Sequence, residues 1–265
     1  MTPVAADKPV VLVTGGASGV GRAIAESFID GDARVHIFDA SRDHIDNFLD
    51  DNPDASASLC DVGDPGQVEA AFEELLSRHD GLRVLVNNAG IAGPAGAVED
   101  LGVEEWNRCI SVNLSGAFYV ARKAIPSLKK QRGGTIINVA SNAGLLGCPH
   151  RSPYVASKWG MIGLTKTWAM ELGPHNIRVN AVCPTSVEGE RIEGVIREDA
   201  ARRGLTTDEI RDVYQRQSSM RTFVTAEDVA NMVVFLASER AARISGQAIA
   251  VDGHTEALAN WLDHA

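Results

Sequence analysis

The chain has 265 residues, 45% of them hydrophobic and 23% charged, with a formal net charge of −10. That length supports a sizeable core and suits one α/β domain, while the acidic balance argues against nucleic-acid or anionic-membrane partners, which reward clustered Lys and Arg. No apolar stretch approaches the roughly 18 residues of a membrane span and no basic-then-apolar signal opens the chain, so a soluble cytoplasmic protein is expected.

The first apolar run, Val10–Thr14, leads into Gly15-Gly16-Ala17-Ser18-Gly19-Val20-Gly21 and then the helix-like Arg22-Ala23-Ile24-Ala25-Glu26. Strand, glycine turn and helix in this order suit a pyrophosphate. Glycines let the backbone approach it, and the free N–H groups and dipole of the helix start favour its charge. The spacing is GxxxGxG rather than the commoner GxGxxG, so the generic dinucleotide fingerprint is only approximated. The second run, Arg34–Asp39, ends on Asp39, where a carboxylate can take the adenosine ribose hydroxyls. A 2′-phosphate there would meet a like charge, worth on the order of 4 kcal/mol at about 4 Å and an effective dielectric of about 20. NAD is therefore expected over NADP. Arg42 blurs the preference, and Ser18 supplies no basic partner for a phosphate.

Further short apolar runs follow at 57–61, Val84–Asn87, 135–140, 178–183 and 247–251, separated by helix-like segments at 20–31, 43–51, 65–79, 103–130, 152–173 and 226–238. Such alternation predicts a Rossmann-like, doubly wound α/β fold of about seven parallel strands with helices on both faces, in a single domain over 1–265. In an open sheet of this type ligands sit beyond the carboxyl ends of the strands, where Gly15, Asp39, Asp61, Asn87, Ser141 and Pro184 fall. The stretch 186–222 carries helical signals of its own, with Ile192, Val195 and Ile196 on one face and a capped start at Leu205-Thr206-Thr207-Asp208-Glu209. Cys60, Cys109, Cys148 and Cys183 show neither CxxC nor CxxH spacing, so reduced thiols and no metal are expected.

The chemistry concentrates in Ser141, Tyr154 and Lys158. In a helix, Tyr154 and Lys158 lie four apart on one face. A phenol of pKa about 10 is roughly a thousandfold too protonated at neutral pH to serve as a base, and an adjacent cation favours its phenolate. Tyr154 can then exchange a proton with a substrate oxygen that Ser141 also hydrogen-bonds, which is alcohol and carbonyl chemistry.

Taken together, these residues resemble the classical short-chain dehydrogenase/reductases over nearly the whole chain. The resemblance makes 14–21 the cofactor loop, with Gly15, Ser18, Gly19, Val20 and Gly21 as contacts, and Asp61-Val62 the adenine-contacting pair. It makes Asn87-Asn88-Ala89-Gly90 the NNAG signature that supports the sheet and borders the cofactor. Asn113, Ser141, Tyr154 and Lys158 fall on the catalytic tetrad, in which Asn113 holds a relay water and Lys158 also grips the nicotinamide ribose. Pro184 and the backbone of Val187 are further cofactor contacts. The chain departs from the family pattern at Thr185, where glycine is usual, and at Ser186-Val187-Glu188-Gly189, which lacks the family's threonine. The segment 186–222 becomes a substrate lid, and the helix at 152–173 part of a dimer or tetramer interface. Trp159, Met161, Trp168 and Met170 would equally suit packing on the sheet.

Arg151, three residues before Tyr154, is placed to pair with an anionic substrate group. These readings predict an NAD-linked dehydrogenase for a small polar hydroxy compound, such as a sugar acid, polyol or hydroxy acid. A 3-oxoacyl-thioester reductase and a non-catalytic dinucleotide sensor are the rivals. Replacing Asp39 by Ala is expected to shift the NAD/NADP ratio of kcat/KM toward NADP by about tenfold or more, equivalent to about 1.4 kcal/mol; an unchanged ratio would remove that role from the carboxylate.

Overall fold

The computed structural model describes residues 8–258. Seven strands, β1 (Val10–Thr14), β2 (Arg34–Asp39), β3 (Ser56–Leu59), β4 (Val84–Asn87), β5 (Gly134–Val139), β6 (Ile177–Pro184) and β7 (Ala248–Val251), form one sheet in the order β3-β2-β1-β4-β5-β6-β7. Every neighbouring pair is parallel. Because β1 pairs with both β2 and β4, the chain changes winding direction there, and a crevice opens at the carboxyl ends of β1 and β4.

Successive residues of a strand point to opposite faces. Accordingly Leu12, Leu85, Ile136 and Val179 pack with Val68, Phe72, Leu75, Val120, Leu128 and Trp168 on one side of the sheet. Val11, Val13, Ile37, Val86 and Ile137 pack with Ile24, Phe28, Phe48, Val229 and Val233 on the other. The first layer comes from helices α3 (Pro65–Arg78), α5 (Gly116–Lys130) and α6 (Ser152–Leu172), the second from α1 (Gly19–Asp30), α2 (Arg42–Asp51) and α9 (Ala226–Ala237). Helix starts follow their caps: Asp64 accepts from the amides of Gly66 and Gln67 with Pro65 in the first turn, and Thr225 forms a reciprocal capping box with Asp228. Along α6, Met161 and Trp168 are buried, whereas Trp159 and Met170 are exposed.

Two elements differ from expectation. The third strand ends at Leu59 rather than residue 61, because the amide of Asp61 is taken by the Gln67 side chain at 2.9 Å instead of a neighbouring strand. The helix expected over 103–130 is instead α4 (Val103–Ile110), a π turn at Ser111–Ser115, and α5. Such turns frequently mark functional positions. Between β6 and β7, α7 (Glu190–Arg203) and α8 (Thr207–Arg216) form a unit around Ile192, Ile196, Ala200, Ile210 and Phe223, with α8 opened by the Thr206–Glu209 capping box. Among the described residues no helix is long and apolar enough to cross a membrane.

A polar network lies under the β2–β3 edge. His36, 0% exposed, places Nδ1 2.7 Å from Ser56 Oγ and Nε2 2.9 Å from Ser58 Oγ, and Ser58 donates to Glu74 at 2.6 Å. His79 Nε2 meets Ser56 Oγ at 3.0 Å, and Arg78 donates to Glu74 at 3.0 Å. Burial first, then the neighbouring His79 and Arg78 against the opposing pull of Glu74, pushes His36 down to about 3. Below its unfolded pKa of about 6.5 the unfolded chain therefore binds a proton that the native state refuses, and stability falls as pH drops from there toward about 3. His79 is lowered too and acts in the same direction. The expected loss at about pH 5 is about 2 kcal/mol from His36 alone. Urea unfolding at about pH 8 and about pH 5 should show it, with a smaller difference in His36→Asn; equal stabilities in the native chain would contradict the account.

Candidate active site

The glycine turn between β1 and α1 is shaped for a ligand rather than filled by protein. Gly19 sits at φ +51°, and a Cβ there would meet nothing within 4 Å among the described residues. A Cβ on Gly21 would lie 1.8 Å from the Gly15 carbonyl oxygen, so no larger residue fits that close approach. Ser18 occupies the N-cap of α1 without a side-chain hydrogen bond, and the first turn carries no acidic residue. The helix thus presents its first N–H groups and its positive end to the crevice, which fits a pyrophosphate.

Asp39, 9% exposed, braces this turn by accepting from the Ala17 amide at 3.1 Å and the Ser41 amide at 3.0 Å. Carboxylate oxygens have further lone pairs, leaving capacity for ribose hydroxyls. Across the crevice, Thr14 Oγ1 accepts from the amides of Asn88 and Ala89 at 3.0 Å, while Asn88 Nδ2 donates to the carbonyls of Thr14 and Gly15, also at 3.0 Å. The Asn87 side chain turns inward, donating to Asn138 at 2.9 Å, so only the edge at Ala89 and Gly90 borders the crevice. Asp61 is engaged by Arg108 at 2.8 Å and by the Gly63 amide, and Val62 is packed in the core against Gly116. Any adenine contact from this pair falls to the backbone of Val62 and the spare lone pairs of Asp61.

At the other end of the crevice the tetrad residues converge. Ser141 follows β5 and caps a short turn, its Oγ accepting from the Ala143 amide at 3.1 Å. Lys158 is 4% exposed; its Nζ donates to the Val139 carbonyl at 2.9 Å and lies 5.6 Å from the Tyr154 ring centroid. A Cβ on Gly90 would be 3.7 Å from that same Nζ. Asn113, in the π turn and 0% exposed, clamps Ile91 by accepting from its amide at 2.7 Å and donating to its carbonyl at 2.9 Å. Both side-chain polar atoms are thereby committed, Nδ2 also reaching Ser157 Oγ at 3.2 Å.

Burial alone would raise the Tyr154 phenol, but Lys158, then Arg191, the Ser141 hydroxyl and Arg151 together hold it below the usual value. Lys158 is itself lowered, by burial and by Arg191 against the opposing pull of Tyr154. The arrangement suits proton exchange with a substrate oxygen.

The segment after β6 closes this end. Thr185 has no left-handed φ; its amide donates to the Val251 carbonyl at 3.2 Å, extending the β6–β7 ladder one residue, so glycine is not required there. Val187 bridges Val224 in parallel, through bonds made by Ser186 and Glu188, so its own amide and carbonyl face the opposite way. Arg151 Nη2 donates to the Ala92 carbonyl at 2.9 Å, its Cζ is 5.4 Å from the Tyr154 ring centroid, and its buried Nε has no hydrogen-bond partner among the described residues. Arg191, in the first turn of α7, donates to the Gly90 carbonyl at 2.9 Å. Sequence reasoning missed Arg191 and Arg108: their partners lie 101 and 47 residues away, beyond the reach of local spacing.

This fold and site are those of a nicotinamide-dependent oxidoreductase acting on CH–OH groups. A family model described as enoyl-(acyl carrier protein) reductase matches residues 15–254, and the chain belongs to the classical short-chain dehydrogenase/reductase family. It is 36% identical over 250 residues to D-beta-hydroxybutyrate dehydrogenase of Rhizobium meliloti, covering 91% of this chain and 96% of the relative. It is 36% identical over 248 residues to a 3-oxoacyl-(acyl-carrier-protein) reductase of Thermotoga maritima, covering 92% and 96%. Among solved structures, an actinorhodin polyketide ketoreductase with NADPH superposes with a TM-score of 0.90 at 33% identity, covering 93% of this chain and 97% of that one. An NAD+-bound xylitol dehydrogenase superposes with a TM-score of 0.88 at 26% identity, covering 93% and 98%. Relatives thus use either nicotinamide cofactor.

Replacing Lys158 by Met removes the charge that offsets burial of Tyr154. The pH profile of alcohol oxidation should then move its rising limb to higher pH, with a loss of about a hundredfold or more near neutrality. An unmoved limb would separate Lys158 from the phenol.

Proposed function

We propose that this protein is an NAD-dependent dehydrogenase that interconverts a secondary alcohol and a ketone on a small polar substrate such as a hydroxy acid, sugar acid or polyol. Tyr154 is the general acid/base: held below the ordinary phenol value, it takes the substrate hydroxyl proton in oxidation and returns it in reduction. Ser141 hydrogen-bonds the same oxygen and fixes its orientation. Lys158 keeps the phenol acidic and holds the nicotinamide ribose, with the backbone of Asn113 connecting it to solvent. When bound, the nicotinamide would accept the hydride from the carbinol carbon. Gly15, Ser18, Gly19, Val20 and Gly21 hold the pyrophosphate, Asp39 the adenosine ribose, Asp61 and Val62 the adenine, and Ala89, Gly90, Pro184 and Val187 the nicotinamide half.

The observation that carries the substrate class is the half-buried Arg151 guanidinium, whose Cζ lies 5.4 Å from the Tyr154 ring centroid. A carboxylate satisfies it by a charged hydrogen bond, the strong kind. The similarity to a hydroxybutyrate dehydrogenase supports the same class. A second reading, reduction of a 3-oxoacyl thioester, is supported by the equal identity to an acyl-carrier-protein reductase; Asp39, which disfavours NADPH, weighs against it.

We further propose a single domain with residues 186–222 as its lid, located in the cytoplasm. The exposed Phe118, Trp159 and Met170 on α5 and α6 support a homodimer or homotetramer.

NADH production over a panel of hydroxy acids and polyols tests the reading, with thioester reduction by NADPH as the rival assay. Tyr154→Phe is expected to lose about a hundredfold to ten-thousandfold in kcat; equal rates would take Tyr154 out of the mechanism. Arg151→Ala should raise KM for carboxylate substrates by about tenfold or more while leaving polyols unchanged; an unchanged KM throughout would exclude the anionic class.

A further inference from the structure

Asn142 follows Ser141 directly and is only 4% exposed, yet its Nδ2 has no hydrogen-bond partner among the described residues. A buried donor left unpaired is costly, so its position calls for a physical reason. The backbone that carries it is fixed. Asn142 opens the short turn Asn142–Gly144, and its carbonyl accepts from the amides of Leu145 and Leu146, both at 2.9 Å. From this support the side chain reaches back to the site, with Oδ1 3.3 Å from Ser141 Oγ. Because Oδ1 and Nδ2 share one carbon, the unpaired donor is a near neighbour of the serine hydroxyl.

A serine hydroxyl has one proton and two lone pairs. One lone pair of Ser141 takes the Ala143 amide at 3.1 Å. The proton has two acceptors within the protein, Asn142 Oδ1 at 3.3 Å and the Pro184 carbonyl at 3.5 Å, and both are long for an O–H···O bond. While that proton is turned to Oδ1, the serine offers an incoming substrate only a lone pair. Hydride loss from a carbinol needs the reverse: charge builds on the substrate oxygen as its proton leaves, and donors aimed at that oxygen stabilise it. The terminal torsion of an asparagine is broad and roughly two-fold, so a half-turn of the amide exchanges Oδ1 for Nδ2 without moving the backbone. Both serine lone pairs are then filled, its proton is left for the substrate, and the buried donor is paired.

We propose that Asn142 is a positioning residue for Ser141, whose amide donates to the serine hydroxyl and so directs the serine proton to the substrate oxygen. This rests on the dehydrogenase reading above. It divides the work at the reacting oxygen: Tyr154 exchanges the proton, Ser141 donates the stabilising hydrogen bond, and Asn142 fixes the direction of that bond.

Single-turnover NADH formation tests the role through a double-mutant cycle, with NAD and the fastest substrate of the hydroxy-acid and polyol panel, 3-hydroxybutyrate and xylitol among them. Asn142→Leu, close in shape but without polar atoms, is expected to slow hydride transfer by about tenfold, while NADH affinity and substrate KM stay within about twofold of the native chain. In a Ser141→Ala background the same change should alter the rate by less than about twofold, because no hydroxyl remains to be directed. Asn142→Asp, which keeps an acceptor and loses the amide donors, should be at least as slow as Asn142→Leu. If the Leu chain does not bind NADH, Asn142→Ala takes its place in the cycle with the same expectations. Equal losses in both backgrounds, or an Asp chain as fast as the native one, would overturn the role and leave the dehydrogenase reading standing. A native chain with no turnover on the whole panel would overturn the dehydrogenase reading, and this role with it.

Discussion

A buried ammonium is the constraint around which this site is organised. Removing a charge from water costs several kcal/mol unless partners replace the lost hydration. Lys158 has few: the Val139 carbonyl at the end of β5, the face of Tyr154, and the polar edge of the loop at Gly90. Those partners come from three different elements, so the position of the charge depends on the registration of β4, β5 and α6. The sheet supplies it. Asn87, Asn138 and Thr165 form an internal chain of hydrogen bonds from β4 through β5 to α6, at 2.9 and 2.8 Å, and each member is buried. A polar chain inside an apolar layer tolerates little sliding, because any slip leaves a donor or acceptor unpaired.

The fold was legible because its strands are covered on both faces and therefore read as continuous apolar runs. Val10–Thr14, Arg34–Asp39 and Val84–Asn87 carry the predicted bounds, and the other strands moved by one or two residues. The π turn at Ser111–Ser115 was not legible. Nothing in Ser-Val-Asn-Leu-Ser breaks helical periodicity, and the turn coincides with a tertiary demand, the pairing of Asn113 with Ile91. Strand ends decided by a side chain, as with Gln67 at Asp61, were invisible for the same reason.

The residues offered for the site split in an instructive way. Lys158 and Tyr154 are brought together because a fixed helical spacing guarantees it, and Ser141 because it follows a strand. By contrast, the side chains of Asn87 and Val62 belong to the interior, and Asp61 shares its carboxylate with Arg108. Motif resemblance locates a segment, but which atoms of that segment face the ligand is settled by packing. Arg191 shows the converse: an unremarkable residue within a helix start becomes part of the site through a contact 101 residues distant in sequence.

The small apolar cluster of Ile192, Ile196, Ala200, Ile210 and Phe223 is separate from both clusters that clasp the sheet. Substitutions inside it are felt locally, because coupling between sites without shared neighbours is weak. A change among these five side chains can therefore reshape what α7 and α8 present to the crevice while the packing that seats Lys158 and Tyr154 on the sheet stays as it is.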